Sequence, residues 1–234
     1  MIIAITGEKG ETGKTTLAVN LTGMRASAGH DVILMDADRQ GSASYWAEKR
    51  DVTIDGSRPN SPLSKIPRIE CVQKFGATLY RTARRLSNKF EDVIIDLPSG
   101  ERQEMRYVLD IADVVMVPLQ PSAFNFWTIR EMDVKVELRL RERPELRAYS
   151  VINRVPHHPR SRDRSAAAAA LSRCRDLTYP NIMITDRSVI RRASALGLTI
   201  IEYSPPNQKT IDEFTRLYSL VFGPTSAERN GTHP

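Results

Sequence analysis

The chain opens with Met1-Ile2-Ile3-Ala4-Ile5-Thr6-Gly7-Glu8-Lys9-Gly10-Glu11-Thr12-Gly13-Lys14-Thr15-Thr16. Met1–Thr6 is a short, apolar, β-branched run that reads as a strand. The glycine-bearing loop after it leads into Lys14–Gly29, a segment of helical length and pattern. A loop between a strand and a helix aims several backbone N–H groups at one point, and the helix dipole adds positive potential there. Such a cradle suits a triphosphate, with Lys14 reaching the β and γ phosphates and the Thr15 hydroxyl coordinating Mg²⁺. The strict pattern G-x-x-x-x-G-K-[ST] is not met, because Glu8 stands five residues before Gly13. The G-K-T-T ending directly after a strand still makes a chance match improbable.

Working outward, Asp31–Asp36, Asp92–Leu97, Asp113–Pro118, Ala148–Asn153 and Asn181–Thr185 read as further strands. Several are apolar almost throughout (IIAI, VILM, VIID, VVMV), the pattern of parallel strands covered on both faces. Helical segments lie between them at Cys71–Phe90, Ala123–Arg143, Ser161–Cys174, Ser188–Gly197 and Pro206–Phe222, and Ile54–Pro67 reads as a Pro- and Gly-bearing loop. The alternation predicts the α/β class: a doubly wound, mostly parallel β-sheet flanked by helices on both faces. Residues 1–222 are expected to form a single domain, and 223–234 a polar tail.

Two more strand ends carry acids. Leu34-Met35-Asp36-Ala37-Asp38-Arg39-Gln40-Gly41-Ser42 ends the second strand at the sheet edge where doubly wound folds place ligands. Asp38 is expected to orient an attacking water there while Asp36 supports the metal shell. Val93-Ile94-Ile95-Asp96-Leu97-Pro98-Ser99-Gly100 holds Asp96 rigidly near Thr15, where it can bind Mg²⁺ through water.

Together these three elements resemble the deviant Walker A ATPases of the ParA/MinD superfamily, whose phosphate loop usually reads x-K-G-G-x-G-K-[ST]. The resemblance implies a P-loop NTPase fold, ATP/ADP and Mg²⁺ as cofactors, and nucleotide contacts along Lys9, Gly10, Glu11, Thr12, Gly13, Lys14, Thr15 and Thr16. Lys9 stands where that family keeps its signature lysine, which implies an ATP-dependent homodimer in which Lys9 reaches the partner's nucleotide. Glu11 replaces the usual second glycine, and a positive φ there costs a non-glycine residue on the order of 1 kcal/mol. Arg39 likewise stands where D-x-D-P-Q has proline. Val117–Ser122 is similar to the V-P-x-x-P-S turn and Ile152-Asn153-Arg154 to a strand-ending N-[KR]. Ser188–Glu202 with Pro205-Pro206 is similar to the region running up to the adenine loop, so Asn153 and Pro205 are expected at the base.

Composition narrows the branch. The 234 residues carry +6, 41% apolar and 26% charged residues, which excludes wholesale disorder. No apolar run approaches the roughly 20 residues needed to span a bilayer, and no signal peptide pattern opens the chain, so a cytoplasmic protein without a membrane partner is expected. Cys71 and Cys174 have no neighbour at metal-ligand spacing, which argues against cluster-bearing relatives. The polar stretch Thr225–Pro234 argues against an amphipathic membrane anchor, and the lack of room before the first strand argues against an operator-reading domain.

Arg139–Arg192 holds thirteen arginines, no lysine and five acids, a net +8, so the remainder is mildly acidic. Two readings stand beside each other: a solvated arginine-rich face and a polyanion surface. With the ATP motifs in view the second is favoured, with Arg154, Arg187, Arg191 and Arg192 as contacts to non-specific nucleoid DNA, salt-sensitive and without base stacking. The expected function is ParA-like partition: hydrolysis stimulated by a ParB-like centromere-binding protein, with Lys9, Lys14 and Asp38 as the catalytic set. The alternatives are a related ATPase that positions another cargo and a weakly hydrolysing nucleotide-dependent regulator.

Overall fold

The computed structural model describes residues 1–100, 102–121, 126–156 and 162–224. Seven strands form one sheet: β1 (Ile2–Gly7), β2 (Val32–Asp36), β3 (Glu70–Gln73), β4 (Asp92–Ser99), β5 (Val114–Leu119), β6 (Arg147–Val155) and β7 (Met183–Thr185). Their spatial order is β3-β2-β4-β1-β5-β6-β7, with every pairing parallel. Among the described residues eight α-helices accompany them: α1 (Lys14–Ser27), α2 (Ser42–Asp55), α3 (Ala77–Ser87), α4 (Arg102–Leu109), α5 (Phe126–Leu140), α6 (Arg162–Leu171), α7 (Ser188–Ala195) and α8 (Gln208–Phe222).

Continuous apolarity of the strands follows from burial on both faces. In β1, Ile3 and Ile5 join Leu17 and Leu21 of α1 and Phe214 and Leu217 of α8. The alternate residues Ile2 and Ala4 join Leu79 and Ala83 of α3, Val108 of α4 and Val136 of α5. Each of the larger side chains among these contributes about 1.5–3 kcal/mol when buried, so a one-residue slip of β1 would exchange two well-packed faces for two mispacked ones.

Two elements, a strand and a helix, depart from the sequence expectation. Cys71–Phe90 is not one helix: β3 occupies Glu70–Gln73 and α3 starts only at Ala77, after Gly76 at φ 58°. This edge strand is four residues long and only half-buried, so neither an apolar run nor clear alternation marks it. The eight-residue α4 adds a helix between β4 and β5, and the helix after β2 runs Ser42–Asp55. The Ser122 turn position, the helix starts at Ala123 and Ser161, His157, His158 and Arg160, and the tail from Thr225 onward lie outside the described residues.

The central position of β1 sets up the site. Chain order runs from β1 to β2 on one side and later to β5 on the other, so the carboxyl ends of β1, β2 and β4 meet at the switch point. Register places Ile5 and Asp36 each opposite Asp96.

Candidate nucleotide site

The loop after β1 turns into α1 at Gly13, whose φ of 85° is left-handed. A Cβ at Gly13 would also sit 2.2 Å from the Asn153 side-chain amide nitrogen, so conformation and space both call for glycine. The Asn153 amide donates to the Thr12 carbonyl at 2.8 Å, which ties the end of β6 to the loop. Thr16, in the first turn of α1, lines a pocket with Asn153, and its carbonyl accepts from Asn20 at 2.8 Å. Glu11 adopts φ 59°, the strained value expected of a residue in glycine's place. Its carbonyl accepts from the Gln120 side chain.

Lys14 is 7% exposed. Its ammonium donates to Ser99 Oγ and, at 3.4 Å, to the Lys9 carbonyl, to which Ser99 also donates at 3.0 Å. Burial lowers the Lys14 pKa against the opposing pull of Asp96 and Asp38. The amine is thus held inside the loop by polar oxygens that a phosphate can replace. Gly10 is exposed, and Glu8 pairs with Lys135 of α5, which also meets Glu131 at 3.2 Å.

Opposite the loop, Thr15 Oγ1 donates to Asp96 Oδ2 at 2.6 Å. The second oxygen, Asp96 Oδ1, is buried with no hydrogen-bond partner. Burial, with Asp36 and Asp38 adding to it and the Thr15 hydrogen bond and Lys14 opposing, pushes the Asp96 carboxyl up to about 7. An orphaned carboxylate oxygen beside a threonine hydroxyl fits Mg²⁺, which in phosphate sites needs only one or two carboxylates and takes its other ligands from phosphate and water. Among the described residues no three His, Cys, Asp or Glu side chains form a protein-only metal cage.

Asp36 is fully buried and already engaged: Oδ1 accepts from the Asp38 amide at 3.1 Å and Oδ2 from the Ser44 amide at 2.8 Å. It therefore caps α2 and shapes the Asp38 turn, and any support to a metal shell runs through remaining lone pairs. Asp38 Oδ1 accepts from the Gln40 amide at 2.9 Å.

Asn153 and Pro205 line adjoining pockets that share Asp186. Asn153 faces one of about 120 Å³ with Thr16, Arg154 and Arg191, and Pro205 faces one of about 340 Å³ with Tyr203, Asn207 and Arg192. The four arginines expected at DNA part company. Arg187 is engaged within the chain: its guanidinium donates to both oxygens of Glu213 at 2.6 and 3.0 Å, and both side chains are 12% exposed. Arg191 is 68% exposed and meets Asp186 at 2.6 Å, while Arg192 is exposed and donates to Ser188 at 2.7 Å. Arg154, at φ 52°, lies along the phosphate loop beside Gly13. Sequence reading singled out neither Lys135, Gln120 nor Ser44, and it quoted Ser99 without assigning it a role. For Ser99 a signal existed, a hydroxyl at the end of the acid-bearing strand.

The family model for the CobQ/CobB/MinD/ParA nucleotide binding domain matches residues 3–200. The chain belongs to this family. Among members of the CobQ/CobB/MinD/ParA family, the maintenance of carboxysome distribution protein A of Gloeobacter kilaueensis is 27% identical over 210 residues, which cover 89% of this chain and 87% of that protein. The chromosome partitioning protein ParA of Caulobacter vibrioides is 28% identical over 152 residues, 53% of this chain and 57% of that one. Among solved structures, the septum site-determining protein MinD of Pyrococcus horikoshii complexed with Mg-ADP has a TM-score of 0.67 at 19% identity, covering 94% of this chain and 95% of that one. An ATP complex of Cyanothece McdA reaches 0.70 at 17% identity, covering 95% and 96%. At such identities the shared property is the fold, a parallel P-loop sheet of the ParA/MinD type.

Proposed function

We propose that the chain is a Mg²⁺-dependent ATPase that dimerises on ATP, holds nucleoid DNA non-specifically and releases it on hydrolysis, carrying a replicon bound by a ParB-like centromere-binding partner. The observation that carries the ATPase reading is the Thr15–Asp96 contact with its unpartnered second carboxylate oxygen, facing a buried lysine across a glycine loop. In this reading loop amides and Lys14 hold the β and γ phosphates, while Thr15 and Asp96 hold the metal with Asp36 behind them. When bound, Mg²⁺ neutralises charge that develops between those phosphates. Asp38, fixed by the Asp36–amide bond, orients the attacking water and receives its proton. Lys9 acts across the dimer, Asn153 and Pro205 contact the base, and Arg191 and Arg192, with Arg154 at the edge of the site, face DNA phosphate. The protein works in the cytoplasm on the nucleoid, without a membrane; among the described residues no helix is long and apolar enough to cross one.

Phosphate release from Mg-ATP, measured alone, with DNA, and with DNA plus a candidate centromere-binding partner, tests this reading. A low basal rate raised by DNA and partner together is expected; no release in any arm selects the nucleotide-dependent regulator instead. A second reading, positioning of another cargo, is favoured by coverage: the carboxysome-distribution relatives match 89% and 94% of the chain, whereas the Caulobacter ParA matches 53%. A partner that binds a defined DNA site selects partition, and one that binds a protein assembly selects the second reading.

A further inference from the structure

Arg50, on α2, is fully buried, a place an arginine occupies only when its donors are met. Its fork donates to both carboxylate oxygens of Glu202, at 2.9 and 2.6 Å. Nη1 also reaches the Gly197 carbonyl at 3.1 Å and Nε the Pro67 carbonyl at 2.9 Å. Glu202 in turn accepts from the Thr199 amide at 2.8 Å.

The segment that Arg50 holds lies directly against the backbone of α2. Gly197 has φ 66°, and a Cβ there would stand 2.1 Å from the Arg50 nitrogen. One turn on, Thr53 donates to the Leu196 carbonyl at 2.7 Å, and from α1 the Asn20 side chain accepts from the Ile200 amide at 2.9 Å. Residues 196–202 are therefore hung on two helices. The chain then runs three residues from Glu202 to Pro205, a span of about 10 Å at most, and Tyr203, Pro205 and Asn207 line the 340 Å³ pocket.

A buried ion pair is a weak source of stability compared with apolar side chains of the same volume. What a bidentate guanidinium–carboxylate fork supplies is fixed geometry. We infer that Arg50 and Glu202 are a positioning pair that sets the base-contacting loop against α2, so that selection of the nucleotide base depends on two residues that never touch the nucleotide. This rests on the nucleotide reading above and names the control of its base subsite.

The experiment measures ADP, GDP and pyrophosphate affinities by calorimetry on wild type, Arg50→Lys, the pair Arg50→Met with Glu202→Gln, and Thr53→Val. Glutamine still accepts the Thr199 amide, and the double change leaves no unpaired buried charge. Wild type is expected to prefer ADP over GDP. In the double variant that preference falls by about tenfold, while pyrophosphate affinity stays within about twofold. Arg50→Lys, which keeps the charge without the fork, falls between, and Thr53→Val shifts the preference in the same direction by less. A folded double variant with wild-type preference overturns the inference and leaves the nucleotide reading intact. Should the double variant fail to fold, an unchanged preference in Thr53→Val overturns it. A wild type that binds none of the three ligands overturns the nucleotide reading, and the inference with it.

Discussion

The phosphate-loop end of the sheet and the arginine-rich stretch Arg139–Arg192 handle charge in opposite ways. At the first, Asp96 and Asp38 bear on the ammonium of Lys14, and the Asp96 carboxyl is driven up to about 7 chiefly by burial, with Asp36 and Asp38 adding to it. In the second, several arginines are paired: Arg139 meets Asp110 at 3.0 Å, Arg141 meets Glu137 at 2.7 Å, Arg143 meets Glu145 at 2.8 Å and Arg187 meets Glu213 at 2.6 Å. Uncompensated charge thus sits where the sequence looks balanced, while three acids from outside the stretch, Asp110, Glu137 and Glu213, answer part of its formal +8. Exposed pairs such as Arg191–Asp186 are worth about 0–1 kcal/mol and can exchange partners, whereas the buried Arg187–Glu213 pair cannot do so without leaving a carboxylate stranded.

The largest effect that would break this contrast belongs to Lys14. Lys14→Ala is expected to lower ATP turnover by about a hundredfold or more in a phosphate-release assay, since it removes a buried cation held inside the phosphate loop; turnover near wild type would dissociate the loop from catalysis. Next comes Arg187→Ala, which should reduce stability by about 3 kcal/mol in urea unfolding because Glu213 stays behind without its partner. The salt dependence of DNA binding should hardly change in that variant.

Asp96→Asn is expected to stabilise the nucleotide-free protein and to abolish Mg²⁺-dependent turnover. The native carboxyl is raised from 3.8 to about 7, so its burial costs nothing below the ordinary carboxylate range, increasingly more from there to neutrality, and its full amount above about 7. The gain in melting temperature should therefore be several degrees at pH 8, on the order of 3 kcal/mol, and vanish near pH 4. Equal gains at both pH values would show that Asp96 is not held against its charge.

Arg191→Ala with Arg192→Ala should lower the slope of log K for DNA against log salt by about 2 units in the ATP state, one for each lost phosphate contact. An unaltered slope moves the DNA face elsewhere. The smallest effect is expected at Glu11→Gly, which relieves φ 59° and removes a carboxylate from the loop. About 1 kcal/mol translates into roughly fivefold tighter ATP binding by titration.

The first, second and fourth strands to appear in the chain, and the acids at the ends of β2 and β4, were legible because the signals are local: β-branched runs, a loop rich in glycine, a carboxylate closing an apolar run. The left-handed φ at Gly13 and the strain at Glu11 belong to the local loop geometry, whereas the close approach of Asn153 to Gly13 spans 140 positions. β3 escaped notice because a four-residue edge strand buries too little to carry a pattern, and α4 because eight residues give barely two turns. The fate of Arg187 was equally hidden, since Glu213 stands 26 positions away on a helix whose facing could not be known in advance.

By itself the sequence determined the class of sheet, the phosphate loop and the order of its acidic partners, because hydrophobic periodicity and turn chemistry act over a few residues. Tertiary structure decided which arginines stay exposed, that burial pushes the Asp96 carboxyl up to about 7, that Ser99 receives Lys14 across 85 positions, and that Arg50 grips Glu202 across 152. Those properties depend on burial and on partners brought together only when the two faces of the sheet are covered.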